Sequence, residues 1–272
     1  MLLVLAGMLG GVIGTAGGIT SLVTYPALLA AGLGPLQANV ANTVALISGA
    51  VASSAASRQE LRVHRRRLPW WAAVAVIGGT GGAVLLLVTP PGVFAWLVPF
   101  LIAFAAALIL IRPTIDEPAA AAAAGEDTAV AGWQRVVAAV AFFGVCVYSG
   151  YFGAGSGILT LAIVLLLVEP HLVRANAVKN ALTACADIVP AAMFAVVADV
   201  AWWAVIPLAV GSGIGGALGP AITRRADPKV LRTAVAVMGF SLATWLLYRI
   251  MNHSLASSSK ERTRSAWSWV MV

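Results

Sequence analysis

The sequence predicts an all-α polytopic membrane protein built from two inverted-topology repeats. Each repeat is a broken, re-entrant helical segment plus three transmembrane helices. Three observations carry this expectation. Of 272 residues, 61% are hydrophobic and 10% charged, with a mean hydropathy of +0.95, whereas soluble domains hold about 25% charged residues. The chain also echoes itself. Gly14-Thr-Ala-Gly17-Gly18-Ile19 resembles Gly153-Ala-Gly155-Ser156-Gly157-Ile158 at an offset of 139, and Val40-Ala41-Asn42-Thr43 resembles Val178-Lys179-Asn180-Ala181 at an offset of 138. Trp70-Trp71 pairs with Trp202-Trp203, Gly81-Gly82-Ala83 with Gly215-Gly216-Ala217, and Pro91-Gly92-Val93 with Pro228-Lys229-Val230. Matches in one order signal an internal duplication. Finally, the basic loops of the two halves fall at positions that are not equivalent within the repeat.

Residues 1–34 are almost uncharged. As one helix they would measure roughly 50 Å against a hydrocarbon core of about 30 Å. Gly10-Gly11, Gly14 and Gly17-Gly18 interrupt them and Pro26 follows, so a pair of half-helices is expected. Spans follow near 36–57, 69–89 and 93–112. The second half repeats the order with a broken segment at 134–168 and spans near 174–197, 201–222 and 229–250. Between the halves, residues 113–132 carry Asp116, Glu117, an alanine run, Glu126 and Asp127, a low-complexity linker expected to be cytoplasmic. The resulting division is an N-terminal repeat at 1–112, the linker, a C-terminal repeat at 133–251 and a disordered tail at 252–272.

Charge sets the topology. Loop 58–67 holds five arginines, and loop 224–232 holds Arg224, Arg225, Lys229 and Arg232. Both are expected on the cytoplasmic side, where short loops collect Lys and Arg. The first precedes the Trp-Trp span it belongs to and the second follows it. One half is therefore inserted upside down relative to the other, which requires the broken segments to be re-entrant. Basic loops at span ends also account for the net charge of +7 without a nucleic-acid partner; the lipid bilayer is the partner they imply. Trp70-Trp71 and Trp202-Trp203 read as interfacial anchors.

Polar residues at membrane depth are expensive and mark pathways or sites. Asn176, Asn180, Thr183 and Asp187 lie on one stripe of a helix, with Lys179 beside it. Asn39, Asn42 and Thr43 are their counterparts in the first half, expected equally as interhelical hydrogen-bond partners or as ligand contacts. Half-helix N-termini present unpaired N–H groups and a partial positive charge, which suits an anion. Gly14, Gly17 and Gly18, and Gly153, Gly155, Ser156 and Gly157, would let a ligand approach the backbone, or would equally serve close helix packing. Lys179 is the candidate for attracting an anionic substrate. A pair with Asp187, or snorkelling to the interface, is the alternative. Asp187 is the candidate carrier of a coupling proton. Cys146 and Cys185 read as small apolar packing residues. His64 and His171 read as loop residues, and no metal-ligand spacing, phosphate loop or dinucleotide fingerprint is present, so no metal or cofactor is expected.

The glycine-rich broken segments, the Asn/Thr-bearing helices after them and the two-fold repeat resemble the TauE/SafE (sulfite exporter) family of membrane transporters over residues 1–250. In the first half the resemblance lies in Gly14-Thr-Ala-Gly17-Gly18, Pro26-Ala-Leu28 and Ala41-Asn42-Thr43. In the second it lies in Gly153-Ala-Gly155-Ser156-Gly157 and Ala177-Val-Lys179-Asn180. Ala16 stands where a third consecutive glycine is common, and no proline lies near Leu165. The resemblance implies a multi-pass transporter of the plasma membrane that moves small anions such as sulfite, sulfonates or other sulfur-containing organic acids. Export by alternating access is the expectation, with secondary transport favoured because no ATP-binding motif is visible. An anion channel is the rival, and an intramembrane enzyme a weaker one. Substrate identity, coupling ion and a homodimeric state stay open at this point.

Overall fold

The computed structural model describes residues 1–62, 68–111, 132–169 and 171–223, together with Thr244 and Tyr248. Only Thr244 and Tyr248 of the expected last span and Gly132 of the expected linker are described, and the tail lies outside the described residues. The helices are α1 (Leu2–Gly17), α2 (Ser21–Ala30), α3 (Pro35–Ala56), the single turn α4 (Arg58–Leu61), α5 (Leu68–Val88), α6 (Pro91–Ile111), α7 (Gly132–Tyr151), α8 (Ser156–Leu167), α9 (Leu172–Val197) and α10 (Trp202–Thr223). No strand occurs among the described residues. Leu68–Val88, Val173–Val197 and Trp202–Gly219 are long and apolar enough to cross a membrane. Trp70, Trp202 and Trp203 are exposed at the starts of α5 and α10, where an amphipathic ring meets the headgroups. The chain is an α-helical membrane protein.

Two helices are broken, and glycine chemistry explains where. Gly18 takes φ 70°, ψ 30° and its N–H donates to the Gly14 carbonyl at 2.8 Å, a left-handed cap that ends α1. Gly10, Gly11 and Gly14, expected to interrupt the segment, stay helical. A side chain at Gly10 or Gly14 would collide with Thr24 or Thr20. Those pairs converge on the turn, so α2 folds back along α1 as a hairpin. In the second half Gly153 (φ 75°) and Gly155 (φ 78°) separate α7 from α8. An L side chain in that conformation costs about 1–2 kcal/mol.

Small residues then decide how the pieces pack. A Cβ on Gly11 would stand 2.7 Å from the Ser212 carbonyl oxygen and 2.8 Å from Gly216 N, while Gly7 abuts Leu208 and Gly219 abuts Thr15. The register rises together on both helices, so α1 and α10 run parallel at backbone contact. Gly7/Gly11 and Gly211/Gly215 are both G-x-x-x-G pairs, the spacing that lets helices approach this closely in lipid. On its other side α10 meets α3, with Gly216 against Gly49 and Ser48 Oγ donating to the Ala209 carbonyl at 2.7 Å.

The same arrangement recurs with the halves exchanged. Gly78 lies against Cys146 and Gly82 against Val147 and Tyr151, so α5 runs parallel to α7. Gly79 abuts the Ala186 carbonyl of α9. Each Trp-Trp helix thus packs on the broken segment and the polar helix of the other half, and α3 packs on α9 between them. One apolar cluster gathers α1, α2, α3, α6 and α10 with the last turns of α5 and α9 and the tip of the second hairpin, and another gathers the rest of α5 and α9 with α7 and α8.

Candidate functional site

The two breaks meet. A Cβ on Gly18 would lie 2.5 Å from the Gly157 carbonyl carbon, and one on Gly157 would lie 2.5 Å from Gly18 Cα. Neither position tolerates a side chain, so the hairpin tips touch backbone to backbone. Beside the contact lies a cavity of about 80 Å³, room for a few waters or one small polyatomic ion.

A broken helix leaves carbonyls and N–H groups without intrahelical partners, and the fold accounts for most of them across the two halves. Lys179 of α9 is 1% exposed and donates to the carbonyls of Gly14 and Thr15 at 3.1 and 3.2 Å. A cation is well placed there, because the C-terminal end of α1 carries partial negative charge. Burial rules out the snorkelling alternative. Asn39 of α3 performs the corresponding task on α7, donating from Nδ2 to the Tyr151 carbonyl at 2.9 Å. Tyr148 Oη donates to the Ala154 carbonyl at 2.6 Å, and Ser156 Oγ to the Gly153 carbonyl at 2.8 Å. Asn42 ties the start of α2 to α3. It accepts from Thr24 Oγ1 at 2.6 Å and donates to Ser21 Oγ at 3.1 Å.

The cavity collects many of the residues singled out from sequence. Gly14, Gly18, Asn42, Thr43, Gly153, Ser156, Gly157, Lys179, Asn180, Thr183 and Asp187 all line it. Thr43 turns its hydroxyl back to the Asn39 carbonyl at 3.1 Å. Asp187 accepts from Ser149 Oγ at 2.9 Å. Gly17 is the last residue of α1. Three other expected residues lie off the lining. Asn39 braces α7, and Gly155 packs on Ala105 of α6. Asn176, one turn before Asn180, has a buried Oδ1 with no partner among the described residues.

Sequence reasoning missed the serines and threonines that complete the wall: Thr15, Thr20, Ser21, Ser53, Ser149 and Ser212. Ser212 stands between Gly211 and Gly213 in the α10 seam, and that small-residue run was the available signal. Two hydroxyls stand out. Thr183 Oγ1 and Ser212 Oγ are buried at the cavity with no hydrogen-bond partner among the described residues. An unpaired buried hydroxyl costs about 1–3 kcal/mol, a cost that a bound ligand would remove. The cavity therefore offers one buried ammonium, one carboxyl, a set of neutral hydroxyls and the starts of α2 and α8.

The family described as sulfite exporter TauE/SafE matches residues 1–246. A protein of Haemophilus influenzae named "Probable membrane transporter protein" is 26% identical over 234 residues, covering 84% of this chain and 86% of its own length. A protein of Escherichia coli named "Probable membrane transporter protein YfcA" is 24% identical over 241 residues, covering 89% and 87%. No solved structure matches. A family match spanning nine-tenths of the chain, over both broken helices and the cavity between them, shows that the chain belongs to the sulfite exporter TauE/SafE family.

Proposed function

We propose that this chain is a secondary transporter of small anions, sulfite and sulfonates foremost, with the cavity between the two hairpin tips as its binding site. The observation that carries the reading is the pair of unpartnered hydroxyls, Thr183 and Ser212, in a cavity that also holds buried Lys179. A small oxyanion accepts hydrogen bonds from hydroxyls, and the N-terminal ends of α2 and α8 add positive potential. A volume of about 80 Å³ suits a sulfite-sized head rather than a lipid. The family and the names of the relatives support transport over catalysis.

Charge balance gives Asp187 its part. Lys179 and an ionised Asp187 cancel, so an added anion would enter a site without net charge. A proton on Asp187 leaves one positive charge to match it. Anion and proton then enter together, and Asp187 is the coupling carboxyl.

Alternating access follows from two repeats inserted in opposite directions, residues 1–112 and 133–251. The support is directional. α2 folds back on α1, α3 returns, and α5 runs opposite to α3. Because α7 is parallel to α5 and α10 to α1, the equivalent helices α1 and α7 point opposite ways. The reading puts the protein in the plasma membrane as a multi-pass chain, with the 113–132 linker cytoplasmic. Small anions and lipid are its partners, and a homodimer is compatible with it.

The test is reconstitution into liposomes and uptake of labelled sulfite, sulfoacetate and taurine with and without a pH gradient. Saturable flux that follows the gradient is the expected result. Conductance with no gradient coupling would make the protein a channel, and no flux for any of the three would refute this substrate class.

A further inference from the structure

Asp187, Ser149 and Ser156 stand in a row from α9 through α7 to the first turn of α8. Ser149 Oγ lies 2.9 Å from Asp187 Oδ1 and 3.1 Å from Ser156 Oγ, and Ser156 Oγ lies 2.8 Å from the Gly153 carbonyl oxygen. Three contacts at hydrogen-bond length need three protons. Each serine hydroxyl carries one and the carbonyl carries none. With Asp187 ionised, Ser149 donates to the carboxylate and Ser156 to Gly153, which leaves the two serine oxygens facing each other with no proton between them. With a proton on Asp187 the row closes. Asp187 donates to Ser149, Ser149 to Ser156, and Ser156 to Gly153.

We infer that Asp187, Ser149, Ser156 and the Gly153 carbonyl form a proton-binding site that ties α9 to the tip of the α7–α8 hairpin. Filling it makes one O–H bond on Asp187 and breaks none; the two serine hydroxyls only rotate. Ser149 and Ser156 are 6% and 3% exposed, and their oxygens, 3.1 Å apart, stand too close for a water to bridge them. The groups facing the row are few. Cys146 of α7 lies in the electrostatic range of Asp187, and Cys185 and Lys179 share α9 with it. The residues that α1, α3, α8 and α10 contribute to the cavity wall carry no charge, and those of α5 packed there are glycines. The hairpin tip held by this chain also carries Gly157, which touches Gly18. Loss of the proton therefore loosens α9 from the point where the two halves meet. That link to transport rests on the function proposed above, whereas the proton site does not.

The experiment is a pH titration of the purified protein, without substrate, followed by infrared difference spectroscopy of the carboxyl carbonyl stretch. The expected result is one titrating carboxyl band that is absent in Asp187→Asn. Ser156 does not touch the carboxyl and acts only through the row. Ser156→Ala should therefore lower the midpoint by about one pH unit, a tenfold loss of proton affinity. An unchanged midpoint in Ser156→Ala, or no titrating carboxyl band in the unaltered protein, overturns the inference even if Asp187→Asn fails to fold. Exchange of choline for sodium at fixed pH should leave the midpoint in place. A sodium-dependent shift would make the cluster a sodium site and overturn it equally. Flux in the same variants reports separately: a normal titration with no anion flux refutes the transport reading alone.

Discussion

Lys179 Nζ donates to the carbonyl oxygen of Gly14 at 3.1 Å, so a lysine in the second half of the chain closes the C-terminal end of a broken helix in the first. Asn39 donating to Tyr151 at 2.9 Å is the reciprocal contact. One closure uses a cation and the other a neutral amide, which makes the cavity asymmetric in charge.

This asymmetry predicts unequal consequences. Lys179→Gln should weaken anion binding by more than tenfold, whereas Asn39→Ala should lower stability with little effect on affinity. Lys179→Met should lose binding and about 1.5–3 kcal/mol of stability, because charge-assisted hydrogen bonds to the α1 carbonyls disappear. Binding isotherms and thermal melts in detergent separate the two effects. Equal affinities in Lys179→Gln and Asn39→Ala would remove the anion role from the lysine.

The hairpin contact makes a second prediction. Gly18→Ala adds a Cβ 2.5 Å from Gly157 and keeps φ at 70°, so strain of about 1–2 kcal/mol adds to overpacking of about 1–3 kcal/mol. Gly157→Ala should act similarly through overlap alone. Gly81→Ala and Gly144→Ala meet nothing within 4 Å and should melt like the unaltered protein. Thermal unfolding of all four variants is the check, and equal melting would show that the tips do not touch.

Thr183 and Ser212 give the opposite signature. Thr183→Val and Ser212→Ala remove buried hydroxyls that have no partner among the described residues, so stability should hold or rise by about 1 kcal/mol. Anion affinity should nevertheless fall about five- to tenfold in each. A melt that drops together with affinity would mean the hydroxyls serve the fold instead.

The inversion proposed for the two halves predicts a labelling pattern. In intact cells an impermeant maleimide should reach a cysteine placed at Asp199, in the α9–α10 turn, and should fail to reach one placed at Ala121 in the linker. Both variants are made in a background lacking Cys146 and Cys185. Labelling of Ala121→Cys from outside would overturn the inverted arrangement.

Much of the helical layout is legible from the sequence because membrane-length apolar runs end at Pro, Gly or charge. Spans read near 36–57, 69–89, 174–197 and 201–222 are the helices Pro35–Ala56, Leu68–Val88, Leu172–Val197 and Trp202–Thr223. The break in each overlong segment is legible for the same reason. What the glycines do is less so. Gly10, Gly11 and Gly14 look like interruptions, yet they remain helical and admit Thr24, Ser212 and Thr20, since a glycine reveals that something approaches but not what. The partner of Lys179 is equally hidden, because Gly14 lies 165 positions away and its carbonyl is not a property of its side chain. Ser149 and Ser212 escape notice because helical serines usually satisfy themselves on their own backbone, as Ser53 and Ser54 do on the Ala50 carbonyl.

The most direct measurement of the central claim is substrate protection at Thr183→Cys. In a background lacking Cys146 and Cys185, the rate of modification by a small methanethiosulfonate reagent is followed as sulfoacetate or taurine is added. A saturable slowing by the anion that the protein transports is expected, lost when Lys179→Gln is combined with it. An unchanged rate at anion concentrations that saturate flux would place the binding site outside the cavity between Gly18 and Gly157.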